Sequence, residues 1–229
     1  MTPLVLIPGL MCDARMWGAV PDLLPPRTLH HALPAGADNM ADIAAAILAH
    51  APPRFALAGL SMGGIVAMEM LAQAPERIER LALLDTNPLA EAPEAQARRA
   101  PQIARALAGD LAGVMRDEMK PNYLARPEDT ATLDLCLDMA LRLGPGVFRD
   151  QSLALRDRAD RRDALRGFNG PALVAMGEHD RLCPRHRHEI MHALMSQSTF
   201  VIVPDAGHLP PLEQPQATAA ALADWLLFT

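Results

Sequence analysis

A chain of 229 residues, half of them apolar, is long enough for one well-filled α/β core. Its formal net charge of −6 gives no electrostatic reason to expect nucleic acid or an anionic membrane as a partner. No apolar run approaches the roughly 20 residues that span a bilayer. The run after Met1-Thr2-Pro3 is too short for a secretory signal, and Cys12, Cys136 and Cys183 are odd in number and far apart, so the expected compartment is the cytoplasm.

In chain order, Leu4–Ile7, Phe55–Ala58, Leu81–Leu84 and Leu173–Met176 are short apolar runs bounded by turn residues. Phe200–Val203 closes the series, and Thr28–Leu33 is a weaker sixth. Runs without alternation are what strands buried on both faces require, so the predicted sheet is parallel and covered by helices. Between them, Met40, Ile43, Ala44, Ile47 and Leu48 repeat at helical spacing, with Asp38 as the expected N-cap. Pro215–Phe228 reads as a last helix that packs through Leu222, Trp225 and Leu226. The expected fold is a doubly wound, mostly parallel α/β sheet of about six strands. One stretch, 87–167, offers no strand pattern and carries helical ones, including Glu94–Leu107 and Leu133–Leu143. It is expected to form a helical cap inserted in one domain spanning 1–229.

The sharpest chemical signal is Gly59-Leu60-Ser61-Met62-Gly63-Gly64, which follows a strand run and precedes a helix-compatible segment. G-x-S-x-G in that setting makes a tight turn that presents the serine hydroxyl at a helix N-terminus, where free N–H groups favour developing negative charge. A serine needs a base, and His208 falls in the loop just past the last strand run. An acid must orient that base, and Asp180 follows Leu173–Met176; Asp85, after Leu81–Leu84, is the rival. With Asp180 in that role, Asp180→Asn is expected to cost on the order of 10⁴ in turnover. The oxyanion would be held by the N–H groups of Met62, next to the nucleophile, and of Leu10, in the loop after the first strand. Met11, Met115, Met119, Tyr123 and Met139 are the candidate pocket residues. The low aromatic content, 3%, points to an aliphatic, Met-rich lining.

A second pattern, His188-Glu189-Ile190-Met191-His192, spells H-E-x-x-H. Ile190, Met191 and Leu194 make the natural core face of that helix, which would leave both histidines on its flank toward solvent. No obvious third ligand follows, so no metal is expected there.

With these residues in place, the chain resembles the α/β-hydrolase superfamily, in particular its small bacterial single-domain esterases. The matching pieces are Leu-Val-Leu-Ile-Pro-Gly-Leu from Leu4, Ala-Gly-Leu-Ser-Met-Gly-Gly, Gly-Glu-His-Asp with Pro184, and Ala-Gly-His-Leu with Glu213 and Pro215. The resemblance implies hydrolysis of a small-molecule ester through an acyl-enzyme, without metal or organic cofactor. The alternatives are a lactonase or C–C bond hydrolase with the same triad, and a non-enzymatic ligand-binding member of the fold.

Overall fold

A computed structural model describes residues 1–227, Lys120 by its backbone alone. Its principal elements are β1 (Leu4–Ile7), β2 (Leu29–His31), α1 (Met40–His50), β3 (Phe55–Leu60), α2 (Met62–Gln73) and β4 (Ile78–Leu84). They continue with α3 (Pro93–Arg105), α4 (Thr130–Arg156), β5 (Ala172–Gly177), α5 (Arg185–Leu194), β6 (Ser198–Val203) and α6 (Pro215–Leu227). Phe228, assigned from sequence to the last helix, lies outside the described residues. Between β4 and β5 the regular structure among the described residues is helical. The long helix α4 is interrupted at Gly144, whose φ of 83° and ψ of 170° leave the helical region just before Pro145.

The six strands form one sheet in the order β2-β1-β3-β4-β5-β6, with every neighbouring pair parallel. Side-chain alternation along each strand feeds two apolar clusters, one on each face. Val5, Ile7, Leu57, Leu81, Leu83 and Val174 join Ile43, Val66 and Met191 in one. Leu4, Leu6, Ala56, Ala58, Ala82 and Leu173 join Leu222, Trp225 and Leu226 in the other. Burying both faces explains why β1, β3 and β5 are wholly buried, whereas the edge strands β2 and β6 are partly exposed.

Two local expectations are corrected. The N-cap of α1 is Asn39, not Asp38: Asn39 has extended backbone, and its Oδ1 accepts the Asp42 N–H at 2.9 Å. His188 does not face solvent. It is fully buried, its Nε2 accepts the Thr86 N–H at 3.3 Å, and its ring stacks on Phe200. The segment just past β4 and strand β6 cover that flank of α5, which a helical wheel alone does not reveal.

Candidate functional site

From β1 the chain runs to β2 on one side and then returns to build β3 and β4 on the other. Crevices at such a reversal, beyond the carboxyl ends of the strands, are where open α/β sheets hold ligands. The loop after β1 and the turn after β3 flank this one.

That turn places Ser61 at φ 54° and ψ −118°, a strained conformation between strand and helix. It closes only because the helix start lies directly on β1. A Cβ on Gly63 would come within 2.1 Å of Ile7 O and 2.6 Å of Pro8 O. On the other side, a Cβ on Gly177 at the end of β5 would lie 1.9 Å from Gly207 O. Glycine there lets the loop bearing Asp180 touch the loop bearing His208.

The structure brings the three sequence-predicted residues into one row. His208 Nε2 lies 2.8 Å from Ser61 Oγ, and His208 Nδ1 lies 3.0 Å from Asp180 Oδ1. The same Oδ1 accepts the N–H groups of Leu182 at 2.8 Å and Cys183 at 3.0 Å. Burial by itself would raise the Asp180 carboxyl; the His208 ring and these two N–H groups outweigh it and hold the carboxyl below its ordinary range. Asp85 makes no hydrogen bond to His208 among the described residues. Its Oδ1 accepts the Gly177 N–H at 2.8 Å, one strand away.

Leu10 and Met62 border the same cavity as Ser61. Neither backbone N–H donates to an acceptor among the described residues, as expected for Met62 at the first position of a helix. Gly9 packs against Ser61, with a built Cβ 3.4 Å from Ser61 Cβ. The β1 loop is braced by Gln151, whose Oε1 accepts the Met11 N–H at 2.9 Å.

The cavity, about 490 Å³, opens above Ser61 and His208. Of the pocket residues proposed from sequence, Met119 and Tyr123 line it. Met11, Met115 and Met139 do not: all three are buried in the core clusters. The Met139 sulfur instead accepts the Asp13 N–H at 3.4 Å. Nor is the lining chiefly aliphatic. Four arginines border it, because α3, the end of α4 and α5 turn mixed faces toward the cavity. His188 and His192 share no cluster able to hold a metal ion among the described residues; His192 Nδ1 is bonded to Ser198 Oγ at 2.7 Å.

Three supporting residues escaped the sequence reading. Glu213 Oε1 accepts the N–H groups of Gly207 and Leu209 on either side of His208, and its Oε2 accepts the Ala125 N–H. Its place five residues after His208 was visible, but its role was not. Thr86 Oγ1 donates to Ser61 O at 2.8 Å, which pins the turn from β4. Gln151 carried no signal, being one polar residue in a long helix.

Known proteins share this architecture. The pimeloyl-[acyl-carrier protein] methyl ester esterase of Pectobacterium carotovorum subsp. carotovorum (strain PC1) is 28% identical over 232 residues, 94% of this chain and 91% of that one. The structure of a thermophilic esterase from Thermogutta terrifontis matches with a TM-score of 0.86 at 27% identity, covering 99% of this chain and 89% of the other. An enol-lactonase from Burkholderia xenovorans LB400 matches with a TM-score of 0.87 at 22% identity over 98% and 91% of the two chains, a likeness of fold. The model of the Alpha/beta hydrolase family matches residues 4–221, and the chain belongs to that family.

Proposed function

We propose that this protein hydrolyses a carboxylic ester of a small molecule, with Ser61 as nucleophile, His208 as general base and acid, and Asp180 as the group that orients the ring. The observation that carries this reading is the hydrogen-bonded row of Ser61, His208 and Asp180 beside a cavity large enough for a substrate. His208 Nε2 takes the Ser61 proton as Oγ attacks the ester carbonyl. The Leu10 and Met62 N–H groups, both without an acceptor among the described residues, hold the oxyanion. His208 then protonates the leaving alcohol, and water repeats the sequence on the acyl-enzyme. Asp180, buried and anionic, holds Nδ1–H in the useful tautomer and stabilises the imidazolium. The helical segment 87–167 acts as a cap, since Glu91, Arg99, Met119 and Tyr123 within it border the cavity. The activities of the relatives, a methyl ester esterase and an esterase, agree with this chemistry.

The test needs no substrate. Wild type and Ser61→Ala are exposed to a fluorophosphonate and weighed intact. One adduct on wild type and none on the variant is the expected result; an unlabelled, folded wild type would overturn the reading.

A further inference from the structure

The cavity wall carries more positive charge than its own acids neutralise. The whole chain has a formal net charge of −6, yet Arg98, Arg99, Arg158 and Arg187 border the cavity against Glu91, Glu94 and Glu118. Glu91, with its side chain 4% exposed, is held by both Arg99 and Arg158 at 2.8 Å, which leaves that buried cluster one positive charge in excess. Glu118 is taken by Arg105 at 2.8 Å. Arg187 has no carboxylate within ion-pair distance among the described residues, and its Nη1 donates to the neutral Asn87 Oδ1 at 3.1 Å. Asn87 is buried, and its Nδ2 reaches the Cys183 sulfur only at 4.0 Å, a weak contact for a good donor. Asn87 adjoins Thr86, whose hydroxyl bonds Ser61 O, so this pair stands close to the nucleophile.

Arg187 is half-buried on the cavity wall, and a guanidinium fork without a carboxylate partner fits a carboxylate or phosphate. We propose that the substrate bears an anionic group, a carboxylate or a phosphate, that docks on Arg187 and Asn87 while its ester lies at Ser61. This rests on the hydrolase reading. The test compares kcat/KM for the methyl ester of a neutral acid with that for the monomethyl ester of a dicarboxylic acid of equal length, in wild type and Arg187→Gln. Calorimetry of a dicarboxylate and of an alkyl phosphate on Ser61→Ala runs beside it and separates the two anions. Wild type should favour the charged ester by about tenfold or more, the scale of a charge-assisted hydrogen bond, and Arg187→Gln should erase most of that ratio. No preference in wild type, or one that survives Arg187→Gln, overturns the proposal. Should neither ester turn over, fluorophosphonate labelling decides the hydrolase reading and calorimetry decides the anion site.

A second inference rests on other atoms. Asp85 is fully buried just past the end of β4, and its Oδ2 and that of Asp180 are both buried without a hydrogen-bond partner among the described residues. Asp85, Asp180 and His188 each offer a ligating atom within 4.8 Å of the others. Two buried carboxylates so close do not both ionise. We infer that Asp85 is a neutral carboxylic acid whose hydroxyl donates to Asp180 Oδ2, which makes it a positioning residue for the acid that holds His208. Burial, then the charge of Asp180, push Asp85 well up, in agreement. The other titratable groups acting on it are Glu213 and Cys183, with His188 facing it from α5.

The infrared difference between wild type and Asp85→Asn at neutral pH should contain the carbonyl stretch of a protonated acid. Asp85→Ala should lower kcat by about tenfold or more, the scale of one lost hydrogen bond to a charge, and Asp85→Asn, whose amide also donates, should restore most of it. No protonated-acid band, or a folded Asp85→Ala with the wild-type kcat and pH profile, overturns the inference. If Asp85→Ala does not fold, the infrared measurement decides.

Discussion

Asp180→Asn removes the charge beside the His208 ring and, with it, the charge that, after burial, keeps Asp85 neutral; its surroundings dictate how the amide sits. Asp180 Oδ1 accepts two backbone N–H groups as well as the His208 ring. An NH₂ group there would face three donors, so the amide oxygen takes that place. His208 Nδ1–H keeps its acceptor, and the ring keeps its tautomer. What disappears is the attraction between carboxylate and the imidazolium that forms in the transition state. With charge centres ~4 Å apart and an effective dielectric of ~20, that attraction is about 4 kcal/mol, or roughly 10³-fold in kcat. This is less than the ~10⁴ expected when the tautomer is lost as well. The assay is steady-state hydrolysis of p-nitrophenyl acetate at neutral pH, with active sites counted by probe labelling. We expect kcat to fall about 10³-fold with KM nearly unchanged. A loss below tenfold in a folded variant would refute the role given to Asp180, and a loss beyond 10⁴ would refute the retained tautomer.

Gly63→Ala should be severely destabilising, because its Cβ would meet backbone oxygens of β1 that cannot move aside. A cost of about 3 kcal/mol or more is expected, seen as a drop of roughly 10 °C in thermal midpoint. Burial, the largest cause, lowers the pKa of His188 to about 4, so the unfolded chain takes up this proton first as pH falls. Its contribution to stability is complete above the ordinary histidine value of about 6.5 and is lost toward pH 4, by up to about 3 kcal/mol. A raised Asp85 acts with the opposite sign, so the measurement is the difference between wild type and His188→Gln in urea melts from pH 7 to pH 4. That difference should shrink as pH falls; a constant difference would contradict the assignment. Asn39→Ala should cost about 1 kcal/mol by the same melts, and Asp38→Ala close to nothing.

Much of the site could be read locally. Buried parallel strands require unbroken apolar runs, and a strand-turn-helix reversal around Ser61 requires glycine at Gly59 and Gly63, so both leave marks in consecutive residues. Loops that follow such runs gather at one end of the sheet, which is why Leu10, Ser61, Asp180 and His208 could be named before their distances were known. Element ends were less legible: β3 and β4 extend beyond their apolar runs, since Gly59 separates Leu60 from one run and Glu79-Arg80 separate Ile78 from the other, while backbone pairing continues beyond them.

What only tertiary structure decided is which elements face one another. The helical pattern of α5 ranks its faces by apolarity, but Thr86, just past β4, and Phe200 of β6 cover the flank that buries His188. Asp85 and Asp180 are each ordinary strand-end acids in sequence, and they meet only because β4 and β5 are neighbours in register. Met11, Met115 and Met139 went to the core while Arg187 and Arg158 went to the cavity. A long flexible methionine fills gaps wherever neighbours leave them, whereas an arginine needs a polar partner or an opening, and neither requirement is written in local spacing.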